Sequence, residues 1–154
     1  MSGTPEDKMH CPSPFPATIR RVGIFCPAGS PPSDKLEKGC RQLQAWGLSV
    51  HRAGIPSPPD RYLAATDTQR VRAFHELLSR DDLDAILAAR GGYGCARLLD
   101  LIDWDLWQKS SKPVIGYSDL TAIHLGAVAH GITTGIYGPM VASEMARGWD
   151  DQSP

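Results

Sequence analysis

The stretch PVIGYSDLTAIHLGAVAHG, residues 113–131, decides how this chain folds. Its first residues are a short apolar run that predicts a strand at Pro113–Gly116. A helical pattern follows from Leu120 to His130, and Gly131 is well placed to end it. A buried strand that turns directly into a helix is the repeating unit of a parallel sheet covered by helices.

The same alternation continues in both directions along the chain. The other predicted strands are Ile19–Cys26, Leu48–Arg52, Asp84–Ala89 and Ile132–Tyr137, and the other predicted helices are Ser33–Trp46, Thr66–Arg80 and Ala96–Ile102. This order predicts an α/β fold with a doubly wound, mostly parallel sheet of about five strands, of the flavodoxin-like or class I glutamine amidotransferase-like type.

Composition suits a single globular domain and excludes several functions. The chain has 154 residues and a net charge of −1, without the basic face that a nucleic-acid binder needs. No apolar run is long enough to span a membrane, and the N-terminus lacks the apolar core of a secretory signal, so a cytoplasmic location is expected. Residues 1–18 are rich in Pro, Ser and charge and predict a disordered arm, and residues 146–154 predict the start of a linker.

The cysteine pattern gives no sign of a metal site. The cysteines are widely spaced and form no C-x-x-C pair, which argues against zinc. Cys26 and Cys40 fall inside a predicted strand and a predicted helix, where a buried free thiol is the common state. No cofactor is expected.

Three unusual loops follow predicted strands, at 27–32, 90–94 and 116–119. In a parallel sheet such loops meet at the carboxyl edge, where ligands bind. Ser118 suits two roles: it is a favoured helix cap, and it also stands on a sharp turn beside backbone N–H groups that can stabilise an oxyanion. The glycine-rich loop 90–94 is not a dinucleotide motif; it is either a flexible turn or a means of close backbone approach.

A serine nucleophile needs a base, and no histidine of the sequence is well placed to serve Ser118. His124 is six residues further along a helix, which turns it about 240° away and about 9 Å along the axis. His130 lies about 18 Å along the same axis. His51 has no visible carboxylate partner in the sequence pattern. The base is therefore expected outside these residues.

Taken together, the loops resemble those of the LD-carboxypeptidases, a family of serine peptidases. The resemblance rests on Val22–Ser30 (VGIFCPAGS), Ala85–Gly94 (AILAARGGYG), Pro113–Asp119 (PVIGYSD) and Gly138–Met140 (GPM), in this order and spacing. It covers residues 20 to 145 and implies that 19–145 is the N-terminal nucleophile domain of a two-domain peptidase.

The resemblance also implies roles for individual residues. Ser118 falls on the family's nucleophile, and the N–H groups of Gly92 and Asp119 fall on its oxyanion hole. The expected substrate-binding residues are Arg90, Gly91, Tyr93 and Tyr117. The histidine and glutamate that complete the family's triad belong to a separate C-terminal domain.

The implied function is release of terminal D-alanine from murein tetrapeptides in cell-wall recycling, with negligible activity for this chain alone. A non-catalytic small-molecule or anion-binding module and an interaction domain are the alternatives. Without the second domain, this half is expected to expose an apolar face that the second domain normally covers, and such a face favours a homodimer. The candidate residues of this face are Tyr93, Tyr117, Tyr137, Met140, Val141 and Trp149.

Overall fold

Five parallel strands form one sheet in the computed structural model, which describes residues 13–54 and 62–147. The strands are β1 (Arg21–Phe25), β2 (Ser49–Arg52), β3 (Ala85–Ala88), β4 (Val114–Gly116) and β5 (Gly135–Tyr137). Their order is β2-β1-β3-β4-β5, and each neighbouring pair is parallel. The predicted α/β fold is confirmed, with each strand somewhat shorter than its apolar run.

Each strand is followed by a helix along the chain. They are α1 (Ser33–Ala45), α2 (Asp67–Ser79), α3 (Trp104–Ser110), α4 (Thr121–Ala129) and α5 (Glu144–Arg147), with short 3₁₀ helices at Cys95–Leu98 and Ser118–Leu120. The predicted helix Ala96–Ile102 is only the first of these 3₁₀ turns. The sequence reasoning missed α3, whose start is fixed when the Asp103 side chain accepts a hydrogen bond from the Leu106 N–H at 2.9 Å.

Each face of the sheet buries its own apolar cluster. On one face, Phe25 stacks on Phe74 with ring centroids 4.9 Å apart, and Trp107 meets Phe74 edge-on at 5.3 Å. On the other face, the strand residues Val22 and Ile24 pack with residues of α1 and α5. Because β1 and β3 have neighbours on both sides and helices on both faces, their side chains are almost all apolar.

The ends of the described chain differ from two predicted boundaries. Phe15 lies against Trp46 with ring centroids 6.3 Å apart, so the predicted disordered arm includes residues that pack on the domain. Residues 1–12 lie outside the described part. The predicted linker starts too early, because α5 continues to Arg147 and buries Met145. Among the described helices, none is long and apolar enough to cross a membrane.

Gly39 allows α1 to pack closely on the segment that precedes α5. A Cβ at this position would lie 1.9 Å from the Val141 carbonyl oxygen and 2.7 Å from its carbonyl carbon. In an exposed helix interior, Gly→Ala stabilises by up to about 1 kcal/mol. Here the backbone clash dominates, because overpacking costs about 1–3 kcal/mol or more.

We therefore expect Gly39→Ala to destabilise the protein by about 2 kcal/mol, measured by urea unfolding. Gln44→Ala, at an exposed position of the same helix, is the control and changes the free energy of unfolding by less than about 0.5 kcal/mol. An unfolding midpoint for Gly39→Ala at or above that of the wild type would show that α1 does not approach Val141 this closely.

Candidate active site

The turn after β4 places Ser118 in an uncommon backbone conformation. Tyr117 is extended, with φ −150° and ψ −162°, and Ser118 then adopts φ +60° before the 3₁₀ turn and α4 begin. A positive φ is unfavourable for a residue with a Cβ, and such residues are concentrated at functional sites. The chain therefore folds Ser118 onto a sharp, locally strained turn at the carboxyl edge of the sheet.

Ser118 does not cap a helix. Neither the 3₁₀ turn nor α4 has a side-chain hydrogen bond at its N-cap. In the part of the chain that the structure describes, no side-chain hydrogen bond involves the Ser118 hydroxyl. The capping interpretation of Ser118 is wrong, and its Oγ is left for another purpose.

Gly91 brings the glycine-rich loop directly against Ser118. A Cβ at position 91 would lie 2.9 Å from Ser118 Cβ and 3.0 Å from Ser118 Oγ, closer than real side chains approach. The Met140 side chain lies on the same spot, 3.5 Å from that Cβ position. The second interpretation of the loop, close backbone approach, is therefore the one that the structure supports.

Gly92 and Gly94 give this loop its shape. Their φ angles are +119° and +127°, which side chains rarely adopt. A Cβ on Gly92 would also lie 2.4 Å from the Tyr62 hydroxyl. Among the turn and loop hydrogen bonds of residues 13–54 and 62–147, none uses the N–H of Gly92 or Asp119 as donor. Two backbone donors in the loops around Ser118 are thus left for a ligand.

The Asp119 carboxylate joins the two loops. Its Oδ2 accepts a hydrogen bond from the Cys95 N–H at 2.7 Å. This contact ties the end of the glycine-rich loop to the Ser118 turn while leaving the Asp119 N–H unused. Burial, and then the neighbouring Asp119 carboxylate, raise the pKa of the Cys95 thiol, so this cysteine stays protonated and is a poor nucleophile.

A buried arginine, which the sequence reasoning missed, holds the carboxyl edge together. Arg70 on α2 is 1% exposed. Its guanidinium donates to the carbonyl of Pro27 after β1, to that of Gly94 at 3.1 Å and to that of Ala65 at 3.2 Å, and it pairs with the Asp67 carboxylate. Because the donors are aimed at carbonyls of two loops, Arg70 fixes the distance between them. Arg70 lies four residues before the buried Phe74 and seven before the buried Leu77, so helical spacing puts it on the buried face of α2, and only its charge argued against burial.

Glu144 anchors the other side of the turn. The Tyr117 hydroxyl donates to Glu144 Oε1 at 2.6 Å, and the Met140 N–H donates to Oε2 at 3.0 Å. The hydrogen bond to Glu144, with burial, raises the pKa of Tyr117 to about 12. Burial opposes ionisation of Glu144, but the bonds from Tyr117 and Met140 hold its pKa below the ordinary value. Tyr117 is therefore a fixed neutral wall of the site, with the Tyr137 ring 5.4 Å away.

The remaining predicted substrate-binding residues lie on the glycine-rich loop after β3. Arg90 Nη1 donates to the Ser30 carbonyl at 2.8 Å, which links the loop after β3 to the loop after β1. Tyr93 is 65% exposed beside Gly92 and is free to contact a ligand. The structure thus brings Ser118 and Gly91 into contact and places Arg90, Gly92 and Tyr93 on the same loop.

The described histidines are occupied elsewhere. His124 Nε2 lies 3.0 Å from the Val114 carbonyl oxygen, as its predicted orientation away from Ser118 requires, and burial lowers its pKa. His130 stacks on Trp104, and His75 accepts from the Asp103 N–H. His51 lies 3.0 Å from Glu76 Oε1, so the expectation that it lacks a carboxylate partner is wrong. His10 lies outside the described residues.

The predicted apolar face is smaller than expected. Met140 and Val141 are buried, 3% and 0% exposed, because they pack into the two clusters beside the sheet. Tyr117 is half-buried by Glu144. Tyr93 and Tyr137 are exposed, and Trp149 lies outside the described residues.

Comparisons with known proteins show the family of this chain. Residues 22–138 match the model of the LD-carboxypeptidase N-terminal domain. The chain belongs to the LD-carboxypeptidase family. It is 36% identical over 121 residues to the murein tetrapeptide carboxypeptidase of Pseudomonas aeruginosa, an alignment that covers 78% of this chain and 39% of that protein.

Solved structures of the family share the fold. A muramoyltetrapeptide carboxypeptidase from Oxalobacter formigenes superposes with a TM-score of 0.76 at 31% identity, over 83% of this chain and 43% of the other. MccF in complex with glutamyl sulfamoyl guanosine superposes with a TM-score of 0.81 at 25% identity, over 89% of this chain and 42% of the other. The chain therefore spans about two fifths of the length of these relatives.

We expect Arg70→Met to destabilise the protein by about 3 kcal/mol, because the buried carbonyls of Pro27, Ala65 and Gly94 lose their donors. Urea unfolding measures this change. The matched control is Arg72→Met, at an exposed position of the same helix, which should change the free energy of unfolding by less than about 0.5 kcal/mol. Equal unfolding midpoints for the two variants would show that the Arg70 hydrogen bonds do not stabilise the carboxyl edge of the sheet.

Proposed function

We propose that this chain is the nucleophile-bearing part of a serine LD-carboxypeptidase that releases terminal D-alanine from murein tetrapeptides. The observation that carries the proposal is the turn itself. Ser118 stands at φ +60° with an unused hydroxyl, and the Gly91 backbone lies against it. Family membership and a relative named as a murein tetrapeptide carboxypeptidase support the choice of substrate.

In the proposed reaction, Ser118 Oγ attacks the carbonyl carbon of the bond before the terminal residue. A base takes the hydroxyl proton, and the carbonyl oxygen becomes an oxyanion between the N–H groups of Gly92 and Asp119. Collapse of this tetrahedral species breaks the C–N bond, and the base returns the proton to the leaving amine. Water then hydrolyses the acyl-serine ester by the same steps and regenerates Ser118.

The base is proposed to be a histidine, oriented by a glutamate, from a C-terminal domain that these residues do not include. Two observations support this. The described histidines are engaged with Val114, Trp104, Asp103 and Glu76, away from Ser118. The family relatives are also more than twice as long as the matched region.

Substrate contacts are assigned to the walls around Ser118. A carboxypeptidase must bind the free carboxylate of its substrate, and Arg90 is the cation on the loop that touches Ser118. Its Nη1 is held by the Ser30 carbonyl, which leaves the other guanidinium N–H groups for a carboxylate. The Gly91 backbone, the Tyr93 ring and the Tyr117 ring complete the proposed binding surface. The cytoplasmic location expected from the sequence stays a prediction.

The chain alone is expected to release negligible D-alanine from a murein tetrapeptide, since loss of triad members lowers the rate by about 10⁴ or more. A chimera with the C-terminal part of the Pseudomonas aeruginosa relative is expected to gain activity, assayed by D-alanine release. In that chimera, Ser118→Ala should lower kcat by at least about 10³-fold.

Ser110→Ala, at the end of α3 and away from the carboxyl edge, is the control and should retain the activity of the chimera. D-alanine release by the chimera that persists with Ser118→Ala would disprove the assignment of Ser118 as the nucleophile. Release from the isolated chain that depends on Ser118 would show instead that the base lies within it. An inactive chimera that binds an anion at Gly91–Gly94 and Ser118, seen as amide chemical-shift changes of those residues, would favour the non-catalytic alternative.

The proposed homodimer rests on the exposed rings of Tyr93 and Tyr137, 65% and 78% exposed beside the site. We expect sedimentation velocity to show a concentration-dependent dimer that Tyr137→Ser weakens. Val128→Ser, at an exposed apolar position near the end of α4, is the comparison. A single monomeric species across a hundredfold concentration range would disprove the dimer.

A further inference from the structure

A second cavity lies beside the site, between the start of α1 and α5. Its volume is about 580 Å³. Four cationic residues line it, Lys35, Lys38, Arg90 and Arg147, together with a single carboxylate residue, Asp34, and the small side chain of Ser143. The chain as a whole carries a net charge of −1, so this concentration of positive charge is local.

The charges in this cavity are not neutralised by ion pairs within the described residues. The salt bridges of residues 13–54 and 62–147 use other arginines, and none involves Lys35, Lys38, Arg90 or Arg147. Glu144 interacts electrostatically with Arg147 and offsets part of the positive charge at that end of the cavity, whereas Lys35, Lys38 and Arg90 have no such carboxylate partner among the described salt bridges. Unneutralised cations around a concave site raise the local potential for an anion.

The backbone adds to the same field. Pro32, Asp34 and Lys35 belong to the first turn of α1 or precede it, and they line the cavity. No side chain caps this helix, so its first N–H groups and its positive dipole end add to the potential, which the Asp34 carboxylate in the first turn partly offsets. The floor is rigid, because the Ala142 N–H donates to the Ala89 carbonyl at 2.8 Å, directly before Arg90.

We propose that this cavity binds a multiply charged phosphate-type anion, such as a diphosphate group. Four cations against the carboxylates of Asp34 and Glu144 leave an excess of two positive charges, which matches a ligand with two or more negative charges. The cavity shares Arg90 with the Ser118 loop, so a phosphate bound there lies next to the nucleophile site without occupying it. The inference does not depend on Ser118 being a nucleophile.

Titration calorimetry of the full chain with inorganic pyrophosphate tests the proposal, with orthophosphate and acetate as comparison anions. We expect affinity to fall in the order pyrophosphate, orthophosphate, acetate, and to weaken as salt is added. The double variant Lys35→Gln/Lys38→Gln should raise the Kd for pyrophosphate by about tenfold or more. These lysines are exposed, so the variant folds normally.

The control is Lys109→Gln, an exposed lysine on α3 on the opposite face of the sheet, which should leave the Kd unchanged. Amide chemical shifts should move at Ser33–Lys38 and Ser143. Absence of pyrophosphate binding at about 10 mM, equal Kd values for the double variant and the control, or shifts confined to Gly91–Gly94 and Ser118–Leu120 would each overturn the proposal.

Discussion

Burial of the Arg70 guanidinium is the constraint on which the carboxyl edge of the sheet depends. An arginine taken out of water is costly unless its charge and its donors are matched. Here Asp67 supplies the charge, and the carbonyls of Pro27, Ala65 and Gly94 supply the acceptors. The loops after β1 and β3 therefore have a fixed separation. Arg70 thereby holds Gly94 at the end of the glycine-rich loop, whose Gly91 lies against Ser118.

The site is built from close contacts between the glycine-rich loop and the Ser118 turn. Gly91 permits backbone to touch Ser118, Gly92 and Gly94 supply the loop's positive φ angles, and the Asp119 carboxylate fastens Cys95. Strain at Ser118 is tolerated because the surrounding loops are held independently of it. The Asp119 side chain therefore has a structural role, whereas the N–H of the same residue makes no hydrogen bond in the described loops.

Sequence patterns predicted the parts of this structure that depend on local chemistry. Apolar runs located all five strands, and the Gly116–Ser118 boundary located the turn, because periodicity and glycine report backbone conformation directly. Arg70, Glu144 and the His51–Glu76 contact could not be predicted in this way. Each depends on residues brought together from distant positions, which spacing along the chain does not encode. Burial of Met140 and Val141 was missed because their partners lie on α1, α5 and the turn after β4.

Ser118 and the N–H groups of Gly92 and Asp119 are proposed to form one catalytic unit. The decisive experiment is a crystal structure of this chain with a peptide boronic acid, whose boron mimics the tetrahedral carbon. We expect boron bonded to Ser118 Oγ, with one boronate oxygen about 3 Å from both backbone nitrogens. A boronate bonded to another residue, or one whose oxygens point away from Gly92 and Asp119, would contradict it.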